Sequence, residues 1–229
     1  MGIDLPYGGV TVQLEIDRAR VLDIISPSNI SPSTQPYVEV ERALREPIEG
    51  PRIEELAPRD KVIAIAVDDV TRVTPTHILL RSLLKILEKA GAKRTNIRII
   101  VALGSHRRMT DTEMKEKYGA ETVENYEVTN HAFDDESQLQ YMGKIAEDIP
   151  VWINKKYLRA RIRIATGNIV PHFNAGWAAG GKILLPGLAG EETVGQMHVR
   201  SANTTPNGLG MEENSTRTLI DAEAEEASS

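Results

Sequence analysis

The stretch Lys61-Val62-Ile63-Ala64-Ile65-Ala66-Val67, closed by Asp68-Asp69, decides the fold. After its first residue it is apolar without alternation, the pattern of a strand covered on both faces in a parallel sheet. The residues that follow read as a helix: Thr74 is a candidate N-cap, Pro75 takes the first helical position, and Leu79, Leu83, Ile86, Leu87 and Ala90 share one stripe. Gly91 lies just beyond its end, where a left-handed cap is expected. A second apolar run, Ile97 to Leu103, stops at Gly104-Ser105-His106, and Thr110 with Glu113 forms a capping-box signature for the next helix. A third run, Ile162 to Ala165, leads into a loop that holds His172.

Strands alternating with helices predict an α/β fold with a mostly parallel sheet flanked by helices and right-handed crossovers. Ligands in such sheets gather at the carboxyl ends of the strands, where Asp69, His106 and His172 fall. Upstream, Val10, Val12, Leu14 and Ile16 alternate with polar residues, and a second run, Val21 to Ile25, follows; together they predict an N-terminal β-hairpin. Ser26 to Pro36, with three prolines and four serines, reads as an extended connector, and Val38 to Leu44 as a short helix ended near Pro47. Short strands are expected around Glu124 to Val128 and Leu139 to Met142. The expected organisation is a hairpin and connector over 1–50, an α/β core over 51–214 and the start of a helix over 215–229.

Composition narrows the function. The 229 residues are 41% hydrophobic and 26% charged, as in an ordinary globular chain, and the net charge of −6 argues against a nucleic-acid surface, which needs surplus Lys and Arg. With no Cys there is no disulfide, thiolate metal site, iron–sulfur cluster or cysteine nucleophile. No apolar run approaches the roughly 18 residues of a membrane span, and the N-terminus lacks a signal-peptide pattern, so a cytoplasmic location is expected.

Four places carry chemistry. Asp68-Asp69-Val70-Thr71-Arg72 lies between a buried strand and a helix start, where backbone amides favour an anion and Arg72 can grip a carboxylate or phosphate; a purely structural Asp–Arg pairing is the other reading. His106 stands at the end of the next strand, a position that suits a general acid or base or a hydrogen-bonded structural role. The segment Thr166 to Gly187 holds Gly167, Gly176, Gly180 and Gly181 with the reactive side chains His172 and Lys182. It matches neither a phosphate-cradling P-loop nor a dinucleotide fingerprint, and packing alone is the alternative. His198 falls sixteen residues beyond Lys182 in a helix beginning at Glu191. The five histidines form no His-x-x-x-His pair, which disfavours a zinc hydrolase, so a metal held by one imidazole must draw its other ligands from elsewhere. His77 and His131 read as structural.

Taken in order, Asp69 to Pro75, Ala102 to Thr110, Pro150 to Asn154, Thr166 to His172, Ala175-Gly176 with Gly180 to Lys182, Pro186-Gly187 and Met197-His198 resemble the N-terminal half of the nickel-dependent lactate racemase family, with spacing that agrees across nearly the whole chain. The resemblance implies a Rossmann-like domain that binds nickel in a nickel pincer nucleotide, of the pyridinium-3,5-bisthiocarboxylic acid mononucleotide type, attached covalently at Lys182. By match, His198 is the nickel ligand, Asp69, Val70, Thr71 and Arg72 lie along the nucleotide, Arg72 also grips the substrate, and His106 and His172 are the catalytic acid/base pair. The implied activity is that of an isomerase, a 2-hydroxy acid racemase or epimerase: one His takes the hydroxyl proton while a hydride passes to the cofactor, and return to the opposite face inverts the centre. Its implied partners are a small 2-hydroxy acid and the proteins that make the cofactor, with no nucleic acid or membrane.

Two departures stand against the pattern. Ala178-Ala179 replaces the Ser-Gly common in the family, and Val73 stands where Pro is common. Family members also carry a second, closing domain, which is expected to be absent here, leaving this 229-residue piece incomplete as an enzyme. The alternative function is a non-catalytic nucleotide- or anion-binding domain of the same fold.

Overall fold

A computed structural model of the chain describes residues 1–25, 28, 30–56, 59–146, 148–204 and 208–227. It divides into two units, Met1–Thr34 and Gln35–Ser229.

The smaller unit holds an antiparallel hairpin of β1 (Gly2–Tyr7) and β2 (Val10–Glu15), paired from Gly2↔Glu15 to Tyr7↔Val10. A two-residue Gly8-Gly9 loop joins them, with Gly8 at φ +61°, the left-handed backbone that tight hairpins need. This corrects the expected pairing: the partner of the alternating run lies upstream, not at Val21–Ile25, which forms no strand. The short glycine turn closes at little entropic cost, and Pro6 is tolerated because each strand of a two-stranded ribbon has a free edge. Downstream, Arg18–Arg20 instead forms a 3₁₀ turn capped by the Asp17 carboxylate. The connector expected at Ser26 to Pro36 lies partly outside the described residues.

In the larger unit the elements run α1 (Pro36–Arg45), β3 (Ile63–Asp68), α2 (Thr76–Lys89), β4 (Ile97–Ala102), α3 (Asp111–Tyr118), α4 (Ala120–Asn125), β5 (Glu127–Asn130), β6 (Leu139–Ile145), β7 (Ile149–Asn154), α5 (Lys155–Leu158), β8 (Ile162–Ala165), β9 (Pro171–His172), β10 (Gly176–Trp177), α6 (Glu191–Thr204) and α7 (Ser215–Glu226). Among the described residues, four strands form a parallel sheet in the order β5-β4-β3-β8, with helices against it. Central β3 is buried along its whole length.

Strand alternation splits the core into two layers. Ile63, Ile65 and Val67 point toward Leu80, Leu83, Leu84 and Leu87 of α2 and Met114 and Tyr118 of α3. Ala64, Ala66 and Ile100 point the other way, into Val151 and Ile153 of β7, Leu184 to Leu188, and Val194, Met197 and Ile220 of the last two helices. Small alanines on this second face let the loop before α6 approach the sheet, which brings the glycine-rich segment to the strand ends. Each fully buried Ile or Leu stabilises this packing by about 2 kcal/mol.

Two local readings change, and one strand is added. Thr74 does not cap α2; its hydroxyl donates to the buried Asp68 carboxylate, and Pro75 occupies the cap position. The span around Glu124 begins as helix α4, so the expected strand starts later, at Glu127. Residues 149–154 form a strand that pairs with β6 as an antiparallel hairpin outside the main sheet. Among the described residues no helix is long and apolar enough to cross a membrane.

Candidate functional site

Asp69, Arg72, His106, His172, Lys182 and His198 line one cavity of about 510 Å³. Its floor is the carboxyl edge of β3 and β4, and its walls are the β9–β10 turn, the Lys182 loop and α6. Val70 and Thr71, expected beside them, do not line it: Val70 is exposed, and Thr71 is turned onto Asp69.

Asp69 is the anchor of the floor. Its Oδ1 accepts from the Thr71 amide at 2.9 Å and the Thr71 hydroxyl at 2.6 Å, while Oδ2 lies 2.5 Å from His106 Nδ1. Burial pushes this carboxyl up, but the Thr71 and His106 hydrogen bonds outweigh it and hold Asp69 below the usual carboxylate range. A carboxylate there makes Nδ1 the protonated nitrogen of neutral His106, leaving Nε2 as the free acceptor.

Both loops are braced by α3. Its capping box holds Thr110 and Glu113 together, and the Glu113 carboxylate grips Arg107, the neighbour of His106, through two bonds of 2.6 and 2.9 Å. At its other end Lys117 donates to the backbone carbonyls of Arg72 and Thr74 and pairs with Asp68 at 3.9 Å, while the Tyr118 hydroxyl donates to the Asp68 carbonyl.

His172 sits in the short β9–β10 ribbon, and its Nδ1 accepts from the amides of Asn174 and Ala175, each at 3.2 Å. Neutral His172 therefore carries its proton on Nε2, the reverse of His106. Burial, then the charges of Lys182, Arg72 and His198, push this imidazole down to about 4.

The Lys182 loop is pinned from two sides. Gly104 at the end of β4 donates to the Gly187 carbonyl at 2.8 Å, and a side chain at Gly187 would bring its Cβ within 2.3 Å of the Ile183 carbonyl oxygen, so only glycine fits. Arg217 of α7 donates to the carbonyls of Trp177 and Ala179 at 3.2 and 3.4 Å. Ala179 itself is held at φ +62° and ψ −166°, backbone that glycine adopts and alanine resists. Burial, then Arg72 and Arg217, lower the Lys182 amine to about 8.

His198 rides on α6, whose start is fastened to β7. The Thr193 hydroxyl accepts from the Trp152 amide and donates to the Pro150 carbonyl, and Gly190 donates to Trp152. His131, read from sequence as a structural residue in a polar stretch, is fully buried beneath this joint: Nε2 donates to the Ala189 carbonyl at 2.9 Å, and Nδ1 accepts from Asn154 at 3.0 Å. Burial and Lys182 lower His198 from its ordinary value.

Within the cavity Asp68 and Asp69 are already engaged, so Arg72 and Lys182 set a field that favours an anion, and the imidazoles add hydrogen-bonding groups. Among the described residues no three metal-binding side chains converge.

A family model for the lactate racemase N-terminal domain matches residues 7–210. Lactate racemase of Thermoanaerobacterium thermosaccharolyticum is 34% identical over 194 residues, 84% of this chain and 45% of that protein. Lactate racemase of Lactiplantibacillus plantarum is 34% identical over 200 residues, 86% of this chain and 47% of that protein. The chain thus spans about half the length of the curated relatives it matches. Among solved structures, the lactate racemase apoprotein from T. thermosaccharolyticum superposes with a TM-score of 0.84 and 31% identity, covering all of this chain and 54% of that one. A Thermotoga maritima protein shares the fold, with a TM-score of 0.71, 24% identity and coverage of 83% and 47%.

Proposed function

From a chain that belongs to the lactate racemase N-terminal domain family, we propose the cofactor-holding and proton-handling part of a 2-hydroxy acid racemase or epimerase. The observation that carries this reading is the meeting of Asp69, Arg72, His106, His172, Lys182 and His198, drawn from residues 69 to 198, around one cavity.

A nickel pincer nucleotide fits these residues. Lys182 offers a half-buried amine lowered to about 8, a basicity at which an appreciable neutral fraction is present near neutral pH for covalent attachment. His198 offers a single imidazole, which suits a metal whose remaining ligands arrive with its organic carrier. When bound, that group supplies the two-electron sink that no side chain provides.

The chain's own residues do the rest. Arg72 pairs with the substrate carboxylate through parallel hydrogen bonds and so orients the 2-hydroxyl toward the imidazoles. His106 receives the hydroxyl proton on Nε2, and Asp69 stabilises the imidazolium that results. His172 presents Nε2–H as a donor to the substrate oxygen from the other wall. Taking a full proton at His172 requires Nδ1 to release the Asn174 and Ala175 amides, so the two bases of the racemase differ in readiness.

The test is intact-mass analysis of the chain co-expressed with cofactor-making proteins. A mass adduct and bound nickel are expected in the wild type, with the adduct lost in Lys182→Ala. Absence of both from the wild type refutes the reading. Binding without turnover is the second reading, favoured by the strained Ala179 in the lysine loop, and racemisation by a full-length parent would exclude it.

A further inference from the structure

Behind the main cavity lies a small void of about 20 Å³, lined by His172, Lys182, Met197, His198, Ser201 and Ile220 among others. That is room for one water, which needs about 10–15 Å³. Two polar groups face it without partners. Ser201 is 1% exposed, and its hydroxyl oxygen makes no hydrogen bond. His198 lies one helical turn earlier on the same face of α6, and among the described residues nothing hydrogen-bonds its ring. A buried hydroxyl without a partner has given up its hydrogen bonds to bulk water and gained none in return, so the fold favours something that bonds Ser201.

We infer that this void is a water site, in which one ordered water bridges the Ser201 hydroxyl to the His198 imidazole and makes Ser201 the positioning residue for that ring. A histidine that binds a metal through one nitrogen is oriented by what holds the other, and a bridging water fixes both the tautomer and the ring plane. Met197 and Ile220 give the void an apolar side, and His172, Asn174, Lys182 and Thr216 line it together with Ser201 and the more exposed His198. The orienting role rests on His198 being the metal ligand proposed above; the water itself does not, and the two fail separately.

The experiment uses the chain without cofactor. A high-resolution crystal structure is expected to show one water within hydrogen-bond distance of both Ser201 Oγ and a His198 ring nitrogen. In ¹⁵N-labelled protein at about pH 8, His198 is expected to occupy a single tautomer in the wild type. It shifts to a mixture in Ser201→Val, which fills the void, and in Ser201→Ala, which deletes only the hydroxyl. A dry void, or a His198 tautomer unchanged in both variants while their circular dichroism stays native, overturns the inference. Lys182 adduct formation, measured in parallel, reports on the cofactor reading alone.

Discussion

Asp69 and His106 close a 2.5 Å contact across the ends of two adjacent parallel strands, and Thr71 claims the other carboxylate oxygen twice over. The division of labour between the two oxygens decides what a conservative change does. In Asp69→Asn the Thr71 donors keep the amide oxygen, so the amide NH₂ must face His106 Nδ1. The imidazole is then expected to invert its tautomer, with the proton on Nε2 and no free base toward the cavity. NMR of the ring nitrogens reads this directly, and in a loaded full-length parent the rate should fall at least about 100-fold.

Lys117 carries a second prediction. Its side chain is 10% exposed, and its ammonium holds two carbonyls of the Arg72 loop and pairs with buried Asp68. Replacement by Met leaves that carboxylate unpaired and should cost about 3 kcal/mol or more in urea unfolding. Hydrogen exchange at amides 69–76 should quicken well before global unfolding, whereas uniform exchange across the sheet would contradict the bracing role.

Stability against pH has a clear sign at His131. Burial lowers the folded imidazole to about 4 from an ordinary 6.5, so the folded state binds fewer protons than the unfolded. Its contribution is whole above about pH 6.5, drains away as pH falls, and is exhausted below about 4, a loss of at most about 3 kcal/mol. His131→Gln should be less stable at pH 8 yet flatter between pH 7 and 4.5, as followed by chemical denaturation.

Ala179→Gly should stabilise the chain. Removing the Cβ relieves backbone at φ +62° worth about 1–3 kcal/mol, against roughly 0.4–1 kcal/mol lost to a more flexible unfolded chain. A net gain of about 1 kcal/mol corresponds to a melting temperature higher by about 2–4 °C, which calorimetry resolves.

The sheet was the most legible part of the sequence because its strands are covered on both faces: Ile63 to Val67, Ile97 to Ala102 and Ile162 to Ala165 are continuous apolar runs with little competing pattern. Where burial is one-sided, the signal thins. Residues 149–154 contain Pro150 and only short alternation; they form a strand by pairing with β6, and the Ile153–Ala189 bridge and the Thr193 bond to the Trp152 amide, contacts distant in sequence, tie it to the start of α6. Thr74 followed a sound local rule and lost to a stronger partner, since a buried carboxylate at Asp68 needs its hydroxyl more than a helix start does. At the site, the reactive residues could be picked out by type and position, but their states could not. Nothing local says that His106 presents a free Nε2 and His172 a bound Nδ1, because the groups that decide it, Asp69 and the Asn174–Ala175 amides, are placed by the fold. Lys117, Ser201 and Arg217 carried no motif at all.

Arg217 lies beyond residue 210, where the family match stops, yet it ties down the carbonyls of Trp177 and Ala179 beside Lys182. For anyone shortening or transplanting this domain, the functional boundary is therefore set by α7 and not by sequence similarity. A version trimmed at residue 210 would keep every recognisable motif while surrendering the latch on its lysine loop.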